Sequence, residues 1–179
     1  MSMFVALFSG INVGGNRIVR MAELRAFFEE LGFTGVATYI QSGNVVFRTG
    51  DGDAAGLTER LEKAFEGRWG FHSRIMVRDA AWYERLVAGN PYPEVAEDHT
   101  KLHAYVLERA PLPEEIAPLT ERCTGPERFV VKDDVVYLHA PDGLGKSKFA
   151  EVLPRVLKVP CTARNWRTVL TLREMARGA

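Results

Sequence analysis

Residues 38–47, Thr38-Tyr39-Ile40-Gln41-Ser42-Gly43-Asn44-Val45-Val46-Phe47, constrain the fold more than any other stretch. Two runs rich in β-branched and aromatic residues flank a short polar break centred on Ser42-Gly43. Gly43 takes positive φ at little cost, and Asn44 tolerates it better than most residues, which is what a tight hairpin turn asks for. Alternation sends Tyr39 and Gln41 to one side of the ribbon and Thr38 and Ile40 to the other. A hairpin here places the elements on either side of it.

Working outward, residues 3–8 form a continuous apolar run that reads as a strand covered on both faces. Met21, Leu24, Phe28 and Leu31 recur at helical spacing, with Gly32 placed just past the end. After the hairpin, Asp51-Gly52-Asp53 is turn chemistry, and Leu57, Leu61, Ala64 and Phe65 make a second helical stripe. Residues 72–77 read as a strand. The order is therefore β-α-β-β-α-β, the split βαβ or ferredoxin-like arrangement. A helix through Trp82, Leu86 and Val87 follows, and Asn90-Pro91-Tyr92-Pro93 cannot continue it.

The second half repeats the order without a residue-by-residue repeat. Residues 102–107 form a strand, residues 113–119 a helix opened by proline, and residues 128–132 and 135–139 a hairpin around Asp133-Asp134. Phe149, Val152, Leu153, Val156 and Leu157 fit one helical stripe, in which Pro154 predicts a kink or a break into two short helices. Residues 160–163 supply a last strand, and Asn165 caps a closing helix. The fold class is α+β: two ferredoxin-like halves with mainly antiparallel sheets. They span residues 1–89 and 102–179, with residues 90–101 as a linker.

Charge narrows the partners. Lys+Arg and Asp+Glu are both 23, so the net charge is 0 and no whole-surface field draws the chain to nucleic acid or membrane, although a local basic patch remains open. The 2 cysteines, Cys123 and Cys161, lie far apart in unrelated contexts and give neither a disulfide framework nor metal spacing. With no signal segment and no long apolar run, the reading is a cytoplasmic protein without a membrane partner, metal or cofactor.

Two glycine-rich loops are candidates for binding. Residues 10–17 contain Gly10, Asn12, Gly14 and Gly15, followed by Arg17 and Arg20. They serve either a connection needing positive φ or a backbone that approaches an anion closely. Residues 140–147, Ala140-Pro141-Asp142-Gly143-Leu144-Gly145-Lys146-Ser147, look like a phosphate-binding P-loop but begin with alanine and carry an aspartate. Here the alternatives are a helix-capping turn and a non-hydrolytic anion site. His103 and His139 lie on strands without a recognisable Ser/His/Asp or Cys/His order.

Four segments together resemble one family: Gly10-Ile11-Asn12-Val13-Gly14-Gly15 with Met21-Ala22-Glu23-Leu24, the hairpin of residues 38–47, residues 136–147, and Arg164-Asn165-Trp166. The sequence resembles the domain-of-unknown-function 1697 family of bacterial cytosolic proteins over nearly its whole length. That resemblance implies two ferredoxin-like halves and implies no activity. Ser9 stands where the family pattern has an arginine before the first glycine loop. Two functional readings follow. The first is a binding protein for a phosphate-bearing ligand, a small molecule or nucleic acid, held by Gly10, Asn12, Gly14, Gly15, Arg17 and Arg20, and by Gly143, Gly145, Lys146, Ser147 and Arg164. The second is a non-catalytic interaction module whose glycines serve only backbone geometry.

Overall fold

Strand β1 (Ser2–Phe8) is the spine of the first sheet in the computed structural model, which describes residues 1–178. It is followed by α1 (Met21–Glu30), β2 (Thr34–Tyr39), β3 (Asn44–Thr49), α2 (Ala54–Trp69) and β4 (Ile75–Asp79). The sheet order is β2-β3-β1-β4 with every pairing antiparallel, the arrangement expected of a ferredoxin-like half. Phe4, Ala6 and Phe8 of β1 face Leu24, Phe27 and Phe28 of α1 and Leu57, Leu61 and Phe65 of α2 in one apolar cluster. Val5, Leu7, Val46 and Met76, on the alternate positions, are also buried, so neither sheet face is an open apolar surface.

Helix α3 (Ala80–Ala88) leads to a 3-10 turn at Pro93–Val95 and then to the second set of elements. These are β5 (Leu102–Leu107), α4 (Pro113–Arg122), β6 (Arg128–Lys132), β7 (Val135–His139), α5 (Lys148–Leu157), β8 (Cys161–Asn165) and α6 (Trp166–Ala176). The sheet order β6-β7-β5-β8 repeats the first topology, again wholly antiparallel. Tyr105, Leu107, Val136 and Leu138 pack beneath Leu119 of α4 and Phe149, Leu153 and Leu157 of α5. The chain divides into two compact units, Met1–Arg85 with the segment from Thr171 onward, and Leu86–Leu170.

Local chemistry explains most of the boundaries. The Asp53 side chain accepts from the Gly56 amide at 2.8 Å and opens α2, and Gly70, with φ 74°, closes it. Asn165 accepts from the Thr168 amide at 2.9 Å and opens α6 as its sequence position predicts. Strand β4 is displaced from the expected residues 72–77, because Ser73 is spent on the Ser9 carbonyl and Asp79 ends the strand by capping α3 through the Trp82 amide. Helix α5 is one helix, not two. It carries Pro154 inside it because Phe149, Leu153 and Leu157 bury a continuous apolar edge that offsets the lost donor.

The hairpin turn departs from expectation in one respect. Its loop is residues 40–43, and the residues with positive φ are Gly43 (77°) and Ile40 (52°), not Asn44. Asn44 begins β3, fully buried, and its amide donates to the Tyr39 carbonyl and to Ser42 Oγ, both at 2.9 Å, bracing the turn from inside. Edge strand β2 carries a register shift between Thr34 and Ala37, where Gly35 has φ 58°.

Two stability experiments follow. A Cβ on Gly43 would lie 2.7 Å from both Phe8 Cβ and Ile11 Cδ1, so backbone strain and overpacking act together. Gly43→Ala is expected to destabilise the protein by about 2–4 kcal/mol, read from denaturant unfolding. An unchanged midpoint would contradict this packing. Separately, His103 on β5 is buried with no partner for its Nδ1 among the described residues, and burial lowers its pKa from 6.5 to about 4. Between those values the unfolded chain binds the extra proton and the folded chain does not. Stability is therefore lost as pH falls from 6.5 to 4, by on the order of 3 kcal/mol for this group. His103→Leu removes that part of the pH dependence; a variant with the parent's slope between pH 7 and 4.5 would refute the assignment.

Candidate functional site

The first glycine loop is held by one side chain. The Asn12 amide donates to the carbonyls of Val19 and Gln41, both at 2.9 Å, and its oxygen accepts from the Val19 amide at 2.7 Å. Asn12 therefore closes its own loop and ties that loop to the hairpin turn. At the tip, Gly14 (φ 59°) and Gly15 (φ 75°) turn the chain so that the Asn16 amide reaches the Val13 carbonyl at 3.1 Å. Two successive positive φ values are the requirement of a tight primed turn, which is why two glycines stand there. No atom lies within 4 Å of where a Cβ would stand on either glycine, so the tip is open. Arg17, also at positive φ, lays its guanidinium 5.5 Å from the centre of the Phe71 ring. Arg20 is exposed immediately before α1. Gly10 precedes Ile11, whose buried side chain underlies Gly43.

The second glycine loop is a helix-capping turn that opens on a cleft. It follows β7, which pairs antiparallel with both neighbours, so the parallel βαβ setting of a P-loop is absent. The amides of Gly143, Lys146 and Ser147 are consumed within the loop by the carbonyls of Ala140, Gly143 and Leu144. Ser147 Oγ accepts from the Ala150 amide at 3.0 Å and donates to Glu127, so the hydroxyl that would hold magnesium in a P-loop is spent on the cap. Beside it is a cleft of about 370 Å³ whose lining includes Arg122, Glu127, Asp142, Lys146, Lys148 and Phe149. The three cations form no ion pair among the described residues. Gly145 and Ser147 line a separate hollow of about 340 Å³ against Tyr105.

Arg164 does not join this cleft. Its neighbour Ala163 packs into the core under α4 and α5, so strand alternation turns Arg164 to the opposite sheet face. There its buried guanidinium donates to Thr162 Oγ1 at 2.7 Å and to the Ala163 carbonyl at 2.9 Å. Lys146 and Arg164, paired in the sequence reading, thus belong to different surfaces of the same sheet. Sequence reasoning missed Arg122, Lys148 and Glu127. Lys148 was within reach, as the Lys-Ser-Lys run at the start of an amphipathic stripe, but nothing local announced that the end of α4 would meet it.

The histidines and cysteines offer little chemistry. His139 accepts at Nδ1 from the Arg128 guanidinium at 3.3 Å, and burial together with that positive charge lowers its pKa. Arg128 also pairs with Glu94 at 3.1 Å and lies 4.8 Å from the centre of the Tyr92 ring. Among the described residues no carboxylate hydrogen-bonds either His103 or His139. Both cysteines are free thiols; burial pushes Cys161 up to about 11 and raises Cys123 as well, which makes them poor nucleophiles at neutral pH. Among the described residues no group of three or more His, Cys, Asp or Glu is placed to hold a metal ion, and no helix is long and apolar enough to cross a membrane.

Comparison with known proteins bears on the fold and the family. The chain is similar to a solved structure, the conserved bacterial protein SP0830 from Streptococcus pneumoniae, at 26% identity and a TM-score of 0.77 over 98% of either chain. No curated protein matches it. A family model described as a protein of unknown function, DUF1697, matches residues 1–137, and the chain belongs to that family.

Proposed function

We propose that the protein binds a phosphate-bearing small molecule, without catalysis, in the cleft at the start of α5. The observation that carries this reading is the set Arg122, Lys146 and Lys148 around one hollow of about 370 Å³. Three cations with no ion pair among the described residues outnumber Glu127 and Asp142 in the same lining and leave an anion as the natural complement. The first turn of α5 adds the amides of Lys148 and Phe149, the two left over by the Ser147 cap, together with the positive end of its dipole. Phe149 and Val152 give the cleft an apolar wall, and Asp142 supplies an acceptor for a ligand hydroxyl. That combination suits a phosphorylated sugar or a nucleotide better than free phosphate. The volume lies at the small end of ligand sites, about 300–1,000 Å³, which favours a small molecule over an extended nucleic-acid strand.

Gly143 and Gly145 shape the loop, Lys146 supplies charge, and Ser147 acts through the cap. The N-terminal glycine loop contributes less to this reading, because Asn12 is spent on holding two loops together.

The test is calorimetric titration of AMP, ribose 5-phosphate and inorganic phosphate at low and moderate salt. Organic phosphates are expected to bind, and to bind more weakly as salt screens the cations. Lys146→Ala and Lys148→Ala should each cost about 1.5–3 kcal/mol of binding if the lysine makes a charged hydrogen bond to the phosphate. Absence of binding, or binding indifferent to both lysines, would overturn the proposal.

A further inference from the structure

Independently of the α5 cleft, we infer that the two loops joined by Asn12 form a docking surface for a protein partner that presents apolar side chains rimmed by carboxylates. Val13, Ile18 and Ile40 are 65%, 59% and 50% exposed, and they are three of the five large hydrophobic residues exposed among the described residues. Each is the chain neighbour of a residue in one hydrogen-bonded set: Val13 follows Asn12, Ile18 precedes Val19, and Ile40 precedes Gln41. Their backbones therefore belong to two loops tied together by Asn12, and the three exposed aliphatic side chains stand on that loop pair.

Ile40 adds an independent sign of use. It is β-branched and sits at φ 52°, a conformation that glycine or asparagine adopts far more easily. Half its surface is in water, so its side chain contributes little to the core that would offset the strain. Backbone strain held at an exposed apolar side chain is a mark of a recognition position.

Charge selects the partner. The two loops themselves, residues 9–20 and 40–43, contain no Asp or Glu, and the charges they carry are Arg17 and Arg20. An apolar centre with arginine beside it is the composition of a protein interface, and its complement is an apolar patch carrying Asp or Glu. A second copy of this chain fits poorly, since a two-fold contact would set the arginines of one patch against those of the other. A bilayer also fits poorly. The surface has two arginines and no tryptophan, where membrane-surface segments use four or more basic residues and interfacial aromatics.

The experiment selects random 12-residue peptides displayed on phage against the full-length protein, with Arg17→Glu/Arg20→Glu protein as the counter-selection. Selected peptides are expected to combine Leu, Ile or Phe with Asp or Glu. Synthetic versions should bind the parent more weakly as salt rises and lose at least tenfold in affinity to Ile40→Asn. Because asparagine relieves the strained turn, the denaturation midpoint of Ile40→Asn should equal or exceed the parent's. Peptides without acidic residues, binding unaffected by Ile40→Asn, or a lowered midpoint in that variant would each overturn the inference. Sedimentation with phosphatidylserine vesicles or concentration-dependent dimerisation, either one abolished by Ile40→Asn, would assign the surface to a membrane or to self-association and overturn it equally.

Discussion

The contact between Gly43 and the pair Phe8 and Ile11 is the constraint on which the N-terminal unit turns. A glycine is required there twice over, by positive φ and by the absence of room for a Cβ. Because the turn can lie flat on Phe8, the Phe8 amide reaches the Gly43 carbonyl at 2.9 Å and the β1–β3 register is pinned at its end. That register places Phe4, Ala6 and Phe8 on the helix-facing side, and a slip of one residue would turn all three away from α1 and α2. Ile11, seated under the same glycine, brings the first glycine loop to the hairpin, after which Asn12 can reach Gln41. The core and the exposed loop pair thus share one small anchor.

Much of the architecture was legible because it rests on local rules. The Asp133-Asp134 hairpin, the cap at Asn165 and the helical stripes around Phe28, Phe65 and Leu153 each state their structure within a few residues. Reading failed where side-chain bonding or burial outranked local propensity. Asn44 looked like a turn residue, yet its buried amide works as a brace, and the strained position passed to Ile40, which nothing in its own chemistry recommends. Strand β4 was set three residues early because the Ser73–Ser9 bond belongs to tertiary structure. Of the kink or break that Pro154 predicts, the break into two helices is overruled by burial of Phe149, Leu153 and Leu157 along one helix.

The sites divide along the same line. Lys146 and Ser147 stood out through their likeness to a P-loop, and the structure gives that likeness a physical reason: a serine before a helix is a good cap whether or not phosphate is present. Arg122 and Lys148 reach the same cleft from two elements, a convergence invisible in one dimension. Arg164 shows the reverse. The sequence reading grouped it with the loop as a possible shared site, but alternation along β8 turns it to the other face of the sheet.

The irregular pairing of β2 has a consequence for how this molecule meets others. An edge strand with regular, unsatisfied backbone groups invites another chain to add itself to the sheet, in ordered assemblies or in aggregates. The shift between Thr34 and Ala37, with Gly35 in the left-handed region, breaks that template in the middle of the strand. Main-chain recruitment along this edge is discouraged, because an incoming strand would lose its register where β2 loses its own.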